Sequence, residues 1–234
     1  MLLLDICPFI DDILCMNDKE LFAWIRDHLY VAAVCDILDE LGFRNQTMHQ
    51  RLRPLDENCC TIVGRARTIR WLEVDHIDEK PYAKEIELMD SLRENDVVIH
   101  STDTSGTNAP WGELMTTAAK KLGAAGCICD SQIRDCIKIR AMAFPVFYTG
   151  IRPLDSKGRG LVVDYDVPVR SGGVLVHPGE LIFADFDGIV VVPQEAEKKV
   201  FEMAKVKVTA ENITRKELLE GKTLSEVYAK YGVL

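Results

Sequence analysis

The stretch from Trp111 to Asp135, WGELMTTAAKKLGAAGCICDSQIRD, limits what this chain can fold into more than any other. Leu114, Ala118, Ala119 and Leu122 recur at helical spacing, and Gly123 ends the pattern. After Gly126, the apolar run Cys127-Ile128-Cys129 reads as a buried strand, and Asp130 to Asp135 as the turn leaving its C-terminal end. A helix passing through a glycine turn into a buried strand is a unit of α/β construction, and in such sheets ligands bind outside the carboxyl ends of the strands.

The same stretch gathers reactive groups. The first N–H groups of a helix have no intrahelical partner, so the opening of the helix that Trp111-Gly112-Glu113-Leu114 leads into is a natural pocket for a small carboxylate or phosphate. Glu113 stands at that helix mouth, while Asp130, Arg134 and Asp135 leave the strand end. Carboxylates are hard oxygen ligands for Mg²⁺ or Mn²⁺, and one or two suffice when water and substrate complete the shell. Arginine supplies a planar fork for a substrate carboxylate. From spacing alone, an Arg-Asp pair after a strand is also what a surface salt bridge looks like.

The flanking sequence reads as scaffold. Asp18 is placed to cap a first helix, and Val31, Val34, Ile37, Leu38 and Leu41 mark a second that ends at Gly42, with Asp36 a solvated or capping carboxylate within it. Thr61 to Trp71 alternates as a strand whose arginines at 65, 67 and 70 are read as partners for acidic residues rather than as phosphate ligands. Tyr82 to Leu92 is a predicted amphipathic helix, Asp96 to His100 a buried strand, and Ser101 to Ala109 a loop. His100 is read as a packed or hydrogen-bonded histidine outside the site. A short helix carries Ile137, Ile139 and Met142, and Phe144 to Phe147 begins another strand. Val167 to Val192, punctuated by Gly172-Gly173, Pro178-Gly179 and Asp187-Gly188, predicts several short strands with tight turns. Asp185, Asp187 and His177 are assigned to those turns. Helical patterning resumes from Glu195 to Leu219 and from Leu224 to Tyr231.

With 234 residues, 47% hydrophobic and 28% charged, the chain is read as one domain spanning residues 1–234. A net charge of -9 argues against a nucleic-acid partner, which needs clustered Lys and Arg. No run is long enough to span a bilayer, and Met1 to Leu4 lacks a signal peptide's basic flank, so a cytoplasmic location is expected. The eight cysteines lack zinc or redox spacing and are read as free thiols.

Taken together, Val34 to Leu38, Gly64 to Arg70, Trp111 to Leu114, Gly126 to Asp130 leading to Arg134-Asp135, Phe144 to Phe147, and Pro178-Gly179-Glu180 leading to Ala184-Asp185-Phe186-Asp187-Gly188 resemble the RraA-like family. That family includes divalent-metal-dependent 4-hydroxy-4-methyl-2-oxoglutarate/4-carboxy-4-hydroxy-2-oxoadipate aldolases. The resemblance implies a three-layer β/β/α fold like the swivelling phosphohistidine domains, with helices at both ends, assembled as trimers or hexamers. It also implies a carbon–carbon lyase for a 2-keto acid, with oxaloacetate-type decarboxylation at the same site. In it, the amides of Gly112, Glu113, Leu114 and Met115 hold substrate, Arg134 binds the pyruvyl carboxylate and keto oxygen, Asp135 ligates Mg²⁺ or Mn²⁺, and Glu113 works through a water. The family commonly has Asp-Gly where this chain has Asp130-Ser131, which is expected to alter the pocket. The family also contains RraA itself, a non-enzymatic inhibitor of a ribonuclease. By resemblance, the regulator branch tends to lack the carboxylate after the arginine, so the presence of Asp135 favours the enzyme.

Overall fold

The computed structural model describes residues 16–102 and 108–232, which pack as two compact units. The first comprises residues 16–44 and 195–232 and is helical: α1 (Asp18–His28), α2 (Val31–Glu40), α6 (Gln194–Leu219, from its second residue) and α7 (Leu224–Tyr231). Asn17, not Asp18, caps α1. Its side chain accepts the Glu20 N–H while Glu20 reaches back to the Asn17 N–H, a reciprocal box that leaves Asp18 as the first helical residue. Helix α2 ends as its glycine predicts. Gly42 takes φ +90, its N–H donates to the Asp39 carbonyl, and the Phe43 N–H donates to that of Leu38. Asp36 is exposed and lies 2.9 Å from Lys207 Nζ.

The second unit, Asn45–Gln194, holds the sheet. Its elements in chain order are β1 (Arg53–Pro54), β2 (Ile62–Glu73), α3 (Ala83–Asp90), β3 (Asp96–Ser101), α4 (Glu113–Lys121), β4 (Gly126–Ile133), α5 (Cys136–Ala141), β5 (Val146–Ile151), β6 (Gly160–Tyr165), β7 (Val169–Ser171), β8 (Val174–Val176), β9 (Leu181–Ala184) and β10 (Ile189–Val192). Strands β2 to β5 are parallel neighbours joined by the three helices, the alternation that the central stretch predicts. Strand β2 organises the rest. One edge pairs with β3, whereas the other pairs antiparallel with β9 over Ile62 to Arg65 and with β6 over Ile69 to Glu73. A register shift at Arg70/Trp71 accompanies the second pairing, as in a bulge that bends a strand, and the sheet curls.

Alternation along the parallel strands builds two cores. Val97, Ile99, Ile128 and Phe147 face a cluster completed by Val169, Val174, Val176, Ile182 and Val191. Val98, Cys127, Cys129 and Val146 face the opposite way, onto Leu88 and Met89 of α3, Ala119 of α4 and Ile139 of α5. Strand β3 is therefore buried on both faces, which explains its unbroken apolar run, Val97 to Ile99. The result is a mixed α/β fold with a curled sheet, helices on one side and the β7–β8 hairpin on the other.

Several details differ from the sequence expectation. Strand β4 extends to Ile133, so Asp130 and Ser131 lie inside it and the turn begins at Arg134. A register shift between Cys129 and Gln132 lets the strand continue through these polar residues. Strands β1 and β6 were not anticipated. Arg67 does pair with acids, making two 2.8 Å contacts to Asp166 and one of 3.0 Å to Asp96, but Arg70 donates to the Pro168 carbonyl. Asp185 and Asp187 form the β9–β10 turn, where the Asp187 N–H donates to Asp185 Oδ1. His177 likewise sits in a turn, its N–H donating to Glu180. The loop expected over Ser101 to Ala109 lies partly outside the described residues. Of the cysteines, 35, 59, 60, 127, 129 and 136 are free thiols, while Cys7 and Cys15 fall outside the described residues.

Candidate functional site

The carboxyl ends of β3 and β4 lead to the N-termini of α4 and α5, and the two termini meet. Trp111 fixes this meeting. It is fully buried, stacks on Phe144 at 6.3 Å and meets His100 edge-on at 5.5 Å. It bridges to Ile133, and its carbonyl accepts the Arg134 N–H at 3.0 Å. His100, as expected, belongs to this support. Trp71 Nε1 donates to its Nδ1 at 2.9 Å, and burial pushes its pKa down to about 3, so the ring is neutral.

Directly after Trp111, Gly112 gives α4 an extended N-cap. Its backbone is one any residue adopts, so glycine is present for space. An added Cβ would lie 2.9 Å from Asp135 Oδ2, 3.2 Å from Arg134 Cγ and 3.3 Å from Arg134 Nε. The Gly112→Ala variant is accordingly expected to fold with a near-normal melting temperature while losing roughly tenfold or more in ligand affinity, because misplacing such groups by about 1 Å is costly. Isothermal titration with pyruvate beside thermal melting checks this.

Arg134 and Asp135 lie on one cavity of about 330 Å³ with Gly112, Glu113, Leu114 and Met115. Asp135 adopts φ +60, ψ +28, a left-handed conformation that short polar side chains tolerate. Its Oδ2 accepts the Glu113 N–H at 3.2 Å and stands 3.9 Å from Arg134 Nε. The Arg134 guanidinium also lies 3.4 Å from Asp155 Oδ1. Both side chains remain partly open, at 38% and 44% exposure, so neither is locked beneath other atoms.

The structure redistributes the expected roles. The Glu113 amide already serves Asp135, leaving those of Leu114 and Met115 as the next donors of the first turn. The Leu114 side chain is 77% exposed, and Thr116 and Ala119 form the buried face of α4 instead. The Glu113 carboxylate stands between Thr117, whose hydroxyl donates at 3.3 Å, and Lys138 Nζ at 3.8 Å. Asp130 is withdrawn from the site. Arg51 donates to its Oδ1 and the Gly172 N–H to its Oδ2, both at 2.8 Å, so this carboxylate ties β4 to the β7–β8 turn. Ser131 is buried in β4 and does not line the cavity.

Three titratable lining residues escaped the sequence reading: Tyr82, Glu85 and Asp155. The Tyr82 hydroxyl donates to Asp155, and burial together with that bond pushes the tyrosine up to about 12. Glu85 carried a legible signal, because it shares the buried face of α3 with Leu88 and Met89 at positions i, i+3 and i+4. A carboxyl on an apolar stripe was the clue. Asp155 carried none, since its partners lie far away in sequence.

Among the described residues, no three His, Cys, Asp or Glu side chains converge as a metal-holding group. A half-exposed oxygen donor such as Asp135 suits a hard cation that keeps several waters, and does not suit a closed protein cage.

A model of the RraA-like family, described as Aldolase/RraA, matches residues 31–191. The chain belongs to the RraA-like family. Among RraA-like relatives, a provisionally named 4-hydroxy-4-methyl-2-oxoglutarate aldolase of Halalkalibacterium halodurans is 34% identical over 174 residues, covering 74% of this chain and 77% of that one. A crystal structure of Streptomyces coelicolor RraAS2, described as an unusual member of the RNase ES inhibitor RraA family, superposes with TM-score 0.73 at 27% identity, covering 88% and 98% of the two chains. An uncharacterized protein of Pseudomonas syringae pv. tomato shares the RraA-like fold, with TM-score 0.80, 24% identity and coverage of 91% and 94%. No helix among the described residues is long and apolar enough to cross a membrane.

Proposed function

We propose that this RraA-like chain is a divalent-metal-dependent carbon–carbon lyase. It cleaves a 4-hydroxy-2-oxo acid to pyruvate and a second carbonyl compound, and decarboxylates oxaloacetate-type acids at the same site. One observation carries the reading: Arg134, Asp135 and the first turn of α4 line a single cavity large enough for a small keto acid. The provisional aldolase name of the Halalkalibacterium relative supports it.

Arg134 fixes the 2-keto acid through its carboxylate, while the Leu114 and Met115 amides bind from the helix mouth. Asp135, with water, would hold Mg²⁺ or Mn²⁺, which when bound supplies positive charge to stabilise the electron pair released from the breaking bond. Glu113 orients a water that takes the substrate hydroxyl proton, and Lys138 Nζ, 3.8 Å from that carboxylate, helps hold it in place. We extend the assignment to the swivelling β/β/α architecture and to trimeric or hexameric assembly.

Pyruvate release from a panel of 4-hydroxy-2-oxo acids and oxaloacetate, with and without EDTA, tests the proposal. Release from at least one acid that EDTA abolishes is expected; no release from any, with Mg²⁺ or Mn²⁺ present, overturns it. The likeness to RraAS2 favours a second reading, a regulator that binds a ribonuclease. Asp135, the carboxylate that the enzyme branch carries after its arginine, weighs against that reading.

A further inference from the structure

Glu85 stands apart from the groups used above. It lies in the first turn of α3, is only 4% exposed, and still forms part of the wall of the cavity that Arg134 and Asp135 line. Its surroundings are mixed: Leu88 and Met89 follow it on the buried face, and Asp155, Tyr82 and Arg134 share the cavity. A carboxylate here would add a second negative charge beside Asp155, in a chamber meant for an anion. A carboxylic acid would instead offer an O–H donor.

We propose that Glu85 is a further substrate-facing residue of the lyase cavity, presenting a protonated carboxyl as a hydrogen-bond donor to the anionic keto acid that Arg134 holds. The inference rests on the keto-acid reading and deepens it, because it makes the cavity selective for an anion through a neutral acid as well as a cation.

The electrostatics agree in direction. Burial pushes Glu85 up, the Asp155 carboxylate pushes it further, and Arg134 pulls the other way, leaving it at about 8. The positive end of the α3 dipole would favour the charged form, but burial outweighs it. Tyr82, itself held up at about 12, stays protonated through neutral pH and directs its O–H to Asp155. Glu113 and Asp135 line the same cavity, and the charges whose fields raise or lower Glu85 are Asp155 and Arg134.

Below about pH 8 the side chain is neutral and donates; above it the side chain is an anion that repels a keto acid. Binding therefore weakens as pH rises, and ligand binding opposes ionisation of Glu85. Pyruvate itself does not titrate in this range.

The test is calorimetric titration of the full-length protein with pyruvate in saturating MgCl₂ from pH 6.5 to 9.5. Wild type is expected to lose roughly three- to tenfold in affinity with an inflection near pH 8, as one carboxyl ionises beside the ligand. Glu85→Gln keeps an N–H donor of similar size but cannot ionise, so its pyruvate affinity should hold one value from pH 6.5 to 9.5, without the inflection. Asp155→Asn removes the field that adds to burial, so its inflection should move to lower pH. An inflection unchanged in Glu85→Gln, or missing from wild type that binds pyruvate, overturns this inference and leaves the lyase reading standing. Wild type that fails to bind pyruvate at every pH overturns both.

Discussion

Replacing Asp135 with Asn is expected to lower the proposed metal-dependent pyruvate release by about a thousandfold, equivalent to roughly 4 kcal/mol of lost transition-state stabilisation, and barely to change folding stability. The choice of Asn is dictated by the backbone. Residue 135 sits at φ +60, where a side chain without a short polar group costs about 1–2 kcal/mol, so Asp135→Ala would mix strain with loss of the ligand. Asn tolerates this conformation, and its amide oxygen can still accept the Glu113 N–H that Oδ2 now accepts. What it removes is the negative charge that would hold a divalent ion. Turnover at saturating Mg²⁺, with a melting curve on the same sample, checks both halves of the expectation. Turnover within threefold of wild type would remove Asp135 from the metal site. An Asp135→Gly control separates the two causes further, since glycine relieves the strained backbone and also deletes the carboxylate.

The αL geometry was hidden from the sequence, although the Arg134-Asp135 pair was legible in it. Spacing placed that pair at a strand end and Glu113 at a helix mouth, because periodicity and glycine punctuation are local signals. Asp130 was misplaced for a non-local reason. Its partners, Arg51 and the Gly172 amide, lie far away in the chain, and only folding turns a turn-like Asp-Ser pair into the interior of β4. Strand β6 went unread because it pairs edge to edge with β2 where that strand changes partner, a switch that alternation along β2 does not announce. Leu114 begins the helical apolar pattern of α4, yet its side chain is exposed. The buried face in fact runs through Thr116 and Ala119, which lets Gly112 to Met115 lie on the cavity. Glu85 could have been found, because an acid on an apolar stripe signals either a buried partner or a ligand.

The second large effect is expected at Arg134, and the two substitutions there ask different questions. Arg134→Met removes the charge and should cost kcat/KM about 3–4 kcal/mol, roughly a few hundred- to a thousandfold, as truncating one partner of a hydrogen-bonded ion pair does. Arg134→Lys keeps the charge but replaces a planar fork with a point, and should raise KM roughly 30- to 100-fold with a smaller loss in kcat. The fork is aimed by its surroundings: Asp155 at 3.4 Å and Asp135 at 3.9 Å flank the guanidinium, and bare Gly112 leaves room along its stem. A lysine amine has no second arm to reach the ligand while one of those carboxylates holds it. Steady-state kinetics on whichever acid releases pyruvate separates the outcomes. If lysine reproduces the wild-type KM, Arg134 supplies charge alone and the carboxylate-binding fork is wrong. A ribonuclease regulator would behave differently again, since docking on an outer surface is insensitive to whether a cavity residue forks. Loss of keto-acid binding in both variants, with ribonuclease inhibition unaltered, would separate the cavity from any regulatory face of the same molecule.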